Sequence, residues 1–313
     1  MTAFGHKPAT NGSWLPYACA TFCLFGLTNF ILAYIADSTA ARSSGTSLSA
    51  AVLVWCGMGI VGAGGLVLSG FKIPFMAPGQ ERLVKYPLCA GVLLALGMFS
   101  LKMGIAAEPH SSGPIVAITA ANSLLVALLA RWRLQERITS LQTAAMCVVV
   151  GGLVLMSLHG GRAHIMSIVY GLVTMGLFAF TNFLLKYAGF HGMPSLAAGV
   201  ILWLSAGGLG VGFLAVSLVR EDPLHGLSAG LGFLAVLAGV FLAFGMLTIK
   251  LAITRGPAGP ATAIAGSNAV LVTVLTLVIL HKVPPANKLI GMGIVLAGIF
   301  LLALKKHRQK HTA

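Results

Sequence analysis

Apolar windows of about 20 residues, with charge confined to the gaps between them, constrain this chain more than any other feature. About 20 apolar residues in a helix cross a ~30 Å hydrocarbon layer. Reading the windows against Pro, Gly and charge punctuation gives ten candidate spans, at 15–36, 48–69, 87–106, 113–131, 140–158, 167–187, 195–219, 230–253, 259–280 and 288–304. A transmembrane β-barrel would alternate apolar and polar residues at every second position, and these windows do not. Of the 313 residues, 58% are hydrophobic and 8% charged, where a soluble domain carries about 25% charged residues. The expected fold is an all-α integral membrane protein with ten transmembrane helices. Its connections are short, the longest being 70–86, so function is expected to lie within the bilayer.

The formal net charge of +14 does not point to nucleic acid, because Lys and Arg gather at the ends of the spans and in the C-terminal run KKHRQKH. Cys19, Cys23, Cys56, Cys89 and Cys147 all lie inside apolar segments without metal-ligand spacing, so they read as packing residues and no metal is expected. The polar N-terminal tail, 1–14, leads directly into an apolar span with no small-residue cleavage site, and the first helix is expected to be retained.

The two halves repeat. GVLLALGMFSLK (91–102) matches GVFLAFGMLTIK (239–250) at seven of twelve positions, and GPIVAITAANSLL (113–125) matches GPATAIAGSNAVL (259–271) at six of thirteen. FGLTNFILAY (25–34) returns as FAFTNFLLKY (178–187), and Trp55, Gly59, Gly62 and Gly64 are answered by Trp203, Gly207, Gly210 and Gly212. Rare residues decide that this is duplication rather than shared greasiness: six of 313 residues are Asn, yet Asn29 meets Asn182 and Asn122 meets Asn268. Five helices per repeat is an odd number, so the second repeat must enter the membrane in the opposite sense, which makes two inverted five-helix repeats. The division is 15–158 and 167–304, with a linker at 159–166 and a basic tail at 305–313. With both termini in the cytoplasm, twelve basic residues fall inside and five (Arg42, Arg162, Arg220, Lys282, Lys288) outside, in keeping with the positive-inside rule.

These residues resemble the drug/metabolite transporter superfamily, and within it the EamA-like transporters of ten helices in two repeats. The resemblance covers nearly the whole chain and is carried best by GPIVAITAANSLLVALLARWRLQERITSLQTAAMCVVVGGLVLM and its echo GPATAIAGSNAVLVTVLTLVILHKVPPANKLIGMGIVLAGIFLL. The first contains the family-like Glu136-Arg137; the echo departs from the pattern with His281-Lys282, so Glu136 is given no role that needs a symmetric partner. The resemblance implies a central cavity enclosed by helices 1, 3, 4, 6, 8 and 9, and export as the direction of transport.

In hydrocarbon every buried polar group needs a partner. Asn29, Asn122, Asn182 and Asn268 all fall near mid-membrane by helical rise, about 14–22 Å from the starts of their spans. Their carboxamides, with Thr28 and Thr181, suit hydroxyls, amides or the ends of a zwitterion in a cavity between the repeats; they also suit helix-to-helix ties, and both roles can coexist. Lys102 and Lys250 are repeat mates near span ends, either basic mouths for organic anions or snorkelling anchors. Lys186 has no mate, Ala33 standing in its place, and would be an asymmetric specificity element if it faced the cavity. Gly113-Pro114 and Gly259-Pro260 open the fourth and ninth helices, where Pro gives up only an orphaned N–H.

Asp37, Glu81, Glu108, Glu136, Glu221 and Asp222 fall at helix ends or in loops, and no His is mid-span, so no carboxylate or imidazole proton relay is visible. No catalytic or phosphate-binding motif is present, so an enzyme is not expected, nor is a cofactor. The expected function is secondary transport of a small polar or zwitterionic metabolite by alternating access, in a cell membrane. Its partners would be the solute and the bilayer, without nucleic acid. The alternatives are uptake or exchange of an organic anion or sugar-like solute, and a non-transporting membrane scaffold.

Overall fold

The structure is a computed structural model and describes residues 14–38, 45–73, 76–107, 112–136, 138–157, 165–219, 227–281 and 283–304. The expected tail at 1–13, most of the linker, the 305–313 tail, the acidic residues Glu108, Glu221 and Asp222, and Lys7, Arg42, Arg137, Arg162, Arg220 and Lys282 lie outside these residues.

Each apolar window folds as helix, since in lipid only intrahelical bonding can satisfy the backbone within one segment. The helices are α1 (Trp14–Ser38), α2 (Gly45–Leu68), α3 (Lys85–Ala107), α4 (Ser112–Ala120), α5 (Asn122–Leu134), α6 (Ser140–Ser157), α7 (Ile165–Phe190), α8 (Ser195–Val219), α9 (Ala229–Arg255), α10 (Ala258–Gly266), α11 (Ala269–Leu280) and α12 (Ala286–Leu304). Among the described residues there is no strand, and eight helices are long and apolar enough to cross a membrane. The chain is an all-helical, multi-pass membrane protein.

Helix ends follow local chemistry. Thr139 and Gln142 cap α6 reciprocally: Gln142 N donates to Thr139 Oγ1 at 3.3 Å and Thr139 N donates to Gln142 Oε1 at 3.1 Å, satisfying two N–H groups that the first turn leaves orphaned. Gln135 after α5 and His281 after α11 both take left-handed conformations, with φ of 56° and 52°, and their N–H groups bond back to Ala130 O and Thr276 O.

The sequence reading differs from the structure at the fourth and ninth spans, each expected as one helix. The stretch 112–134 breaks at Ala121, and 258–280 breaks at Ser267 and Asn268. At both places the hydrogen bonds tighten from four residues to three: Ala121 N donates to Ile118 O at 3.0 Å and Leu124 N to Ala121 O at 3.0 Å, while Asn268 N donates to Ala265 O at 3.3 Å and Val270 N to Ser267 O at 2.9 Å.

Packing joins the two halves of the chain. α1 lies along α9, α7 along α3, α2 against α8 and α6 against α12. Small residues let these backbones approach, which is the main route to helix association where lipid removes the hydrophobic drive. A Cβ on Gly207 would lie 2.2 Å from Gly59 Cα. A Cβ on Gly97 would meet Phe178 Cε1 at 2.6 Å, and one on Gly245 would meet Phe25 Cε1 at 2.5 Å. Gly152 faces Gly291 and Val295, and Gly298 faces Val149.

Gly207 and Gly208 separate close approach from helix propensity. Gly207→Ala is expected to destabilise the protein by about 1–3 kcal/mol through overpacking. Gly208→Ala, where a Cβ meets nothing within 4 Å, is expected to be neutral or stabilising by up to about 1 kcal/mol. Thermal unfolding of both variants in detergent measures the difference.

Candidate functional site

The two breaks collect the polar groups. Asn122 Nδ2 donates to Thr119 O at 2.9 Å and Asn268 Nδ2 donates to Ala265 O at 2.9 Å, so each carboxamide covers a carbonyl three residues back, at the place where the helix loses its regular ladder. That side-chain bond supplies what hydrocarbon cannot. Each amide keeps its oxygen for another partner, and at Asn268 that partner is Asn29, whose Nδ2 donates to Asn268 Oδ1 at 2.8 Å.

Asn29 is exposed although it lies deep in an apolar helix. Its neighbours say which way it faces. Thr28 turns toward α9, where its Oγ1 reaches Ala238 O at 3.2 Å, and Gly26 abuts Leu271 of α11. At about 100° per residue Asn29 falls between these two contacts, and about 120° around the helix from exposed Cys23. Its side chain therefore lies on the arc between the α9 and α11 contacts. In the other half Asn182 Nδ2 bonds within α7, to Phe178 O at 3.1 Å, and no hydrogen bond joins Asn182 to Asn122 among the described residues. The structure thus brings Asn29 and Asn268 together and leaves Asn182 and Asn122 on their own helices, half-buried.

Thr28 and Thr181 are helix ties. Both are buried; Thr28 Oγ1 also bonds Leu24 O at 2.9 Å, and Thr181 Oγ1 bonds Leu177 O at 2.9 Å and Ala90 O of α3 at 3.4 Å. Their hydroxyl protons are committed to backbone carbonyls.

The lysines separate by environment. Lys250 is 1% exposed and its Nζ donates to Met193 O, beyond the end of α7, at 3.3 Å, so it does not snorkel to headgroups. Its mate Lys102 is half-buried. Lys186, read from sequence as a solute contact if it faced a cavity, is instead tied to protein: its Nζ donates to Ile253 O at 2.5 Å and Gly256 O at 2.8 Å and lies 3.4 Å from Glu136 Oε2. Glu136 Oε1 accepts the Ala258 N–H at 2.9 Å. A cation thus sits on the last carbonyls of α9 and an anion on the first N–H of α10, each matching the partial charge of its helix end. Sequence reasoning gave Glu136 no role that needs a symmetric partner, because its repeat counterpart is Lys282; the signal available was the equally unmatched Lys186.

No protein-family model matches the sequence and no curated protein matches it. Solved structures do match: a crystal structure described only as that of a protein superposes with a TM-score of 0.73 at 16% identity, over 96% of this chain and all of its own. At that identity the likeness is one of fold, and it defines a shared all-helical architecture running the length of both chains.

Thr28→Val and Thr181→Val are near-isosteric and remove only the tie. Each is expected to lower unfolding stability by about 0.6–2 kcal/mol, read by thermal denaturation in detergent.

Proposed function

We propose that the chain is a secondary transporter, an EamA-like member of the drug/metabolite transporter superfamily, that moves a small polar or zwitterionic metabolite by alternating access, with export as its direction. It is built as two inverted five-helix repeats, 15–158 and 167–304, with both termini on the cytoplasmic side of a plasma or inner membrane. No catalytic step is assigned to it.

Support for the inverted repeat comes from contacts that recur when the halves are exchanged. Thr28 on Ala238 of α9 answers Thr181 on Ala90 of α3; Gly97 on Phe178 answers Gly245 on Phe25; Gly152 beside Val295 answers Gly298 beside Val149. Gly59 and Gly207, mates in the sequence repeat, meet each other, as residues beside a two-fold axis do. Such an axis in the membrane plane is the arrangement of many carriers, whose solute sites lie at broken helices near mid-membrane.

The observation that carries transport is Asn29: an exposed carboxamide deep in an apolar helix, bonded to Asn268 at the break in the ninth span. A group satisfied on one side and open on the other can exchange a protein partner for a solute hydroxyl, amide or carboxylate at little net cost. Asn122 and Asn182, each with an amide oxygen to spare, are the corresponding groups of the other half.

Flux of candidate metabolites into proteoliposomes tests the assignment, after a thermal-shift screen of polar metabolites on the purified protein identifies a stabilising solute. Asn29→Ala and Asn182→Ala are each expected to weaken binding of that solute about tenfold and the double variant to abolish flux. Unaltered flux in folded variants would remove the Asn site.

A further inference from the structure

The two halves are alike in sequence but unequal in packing at one end. Comparing mates across the repeat, Thr262 of α10 is 3% exposed where Val116 of α4 is 39% exposed, Lys250 is fully buried where Lys102 is half-buried, and Lys186 is buried where Ala33 is exposed. α10 packs against α5, α6 and α7 as well as α1 and α9, and a Cβ on Gly259 would lie 2.5 Å from Ala127 Cβ. Among the described residues α4 packs less against α11, α12 and α1 than α10 does against their mates, and α1 packs less on α3 than α7 does on α9. One end of the helix set is drawn together, and it is the end where α1 begins and where α5, α7 and α9 finish.

That end carries an ionic device that has no repeat counterpart. Lys186 comes from α7, Glu136 follows α5, and their partners Ile253, Gly256 and Ala258 span the junction of α9 with α10. Four segments meet at one charge pair in which Lys186 is buried and Glu136 half-buried, and the repeat counterparts of the two charges, Ala33 and Lys282, cannot form one. We propose that Lys186 and Glu136 are a one-sided clamp that holds this end of the pathway shut, so that the resting protein is open toward the opposite end and solute can pass the clamped end only when the Lys186 ammonium leaves the α9–α10 junction. The clamp rests on the transporter reading. Its logic is that of a buried pair generally: intact, it adds little net stability, but it is costly to break while either charge stays buried. It therefore favours the clamped geometry over any in which α10 swings away from α5. Unclamping exposes α10, whose residues from Ala258 to Ala265 are now all buried.

Hydrogen exchange of α10 in the full-length protein reads this directly, because backbone exchange follows local opening. Glu136→Gln and Lys186→Met are expected to speed exchange in Ala258–Gly266 at least tenfold while leaving α8 and α12 as in the wild type. Lys85→Gln, which removes an exposed charge near the same end, is expected to change nothing in α10. If either single variant does not fold, the double variant, which leaves no charge unpaired, carries the measurement. Unchanged α10 exchange in a folded variant would overturn the clamp, and so would failure of the double variant to fold, since the pair would then be a requirement of the fold rather than of one conformation. Flux measured on the wild-type protein separates the two ideas: if it moves no solute, faster α10 exchange in the variants leaves only a conformational tie and removes the transporter, whereas normal wild-type flux with unchanged exchange in the variants removes the clamp and keeps the transporter.

Discussion

The absence of water in the hydrocarbon layer is the constraint from which the rest of this structure follows. A backbone carbonyl or amide left without a partner there costs several kcal/mol, so every departure from regular helix must bring its own hydrogen bond. The breaks at Ala121 and at Ser267–Asn268 do so by the same means: an Asn side chain donates back to the carbonyl three residues earlier. Asn is suited to this because it is short, uncharged and both donor and acceptor. Having donated with its nitrogen it still holds an acceptor, and in the second half that acceptor ties α1 to the broken span through Asn29. The Asn side chains at the two breaks are therefore first a repair of the backbone.

Glycine supplies the second layer of organisation. Where helices from the two halves cross, small residues face large ones or each other: Gly59 meets Gly207, Gly97 receives Phe178 and Gly245 receives Phe25. Dispersion and close approach hold helices together in lipid, so the positions of these residues determine which helices can be neighbours. The aromatic rings sit in the notches as much to fill space as to bond. Thr28 and Thr181 add a directional element, each fastening its helix to a carbonyl on the opposite half.

Charge is used sparingly and at helix ends. Lys186 lies on the closing carbonyls of α9 and Glu136 on the opening amide of α10, so the pair neutralises itself and two helix dipoles at once. Around the same end Arg255 stacks over the Tyr17 ring and donates to its hydroxyl at 2.5 Å, and Gln80 donates to Gly192 O at 3.1 Å. These contacts connect loops and helix ends that a purely apolar interface would leave free to slide.

Most of the helical layout was legible from the sequence, because a span of about 20 apolar residues has one low-energy solution in lipid. The start of α8 at Ser195 and the end of α11 at Leu280 fall where Pro and charge punctuation put them. The breaks in the fourth and ninth spans were not legible, since Ala121 and Ser267 are ordinary helix residues and the tightening there involves neither Pro nor a charge. The four Asn stand out in the sequence because Asn is rare in this chain; their pairing does not, because a repeat predicts equal partners and Asn29 bonds Asn268 while Asn182 stays with its own helix. Glu136 is missed for a related reason: its repeat counterpart is Lys282, and the lysine set against it comes from another span. Composition and periodicity alone thus determine which segments are helices and that they belong in a membrane, because those follow from each segment's own contact with lipid. Which carboxamides meet and which lysines are sealed were decided only by tertiary structure, because they depend on distances between segments far apart in the chain.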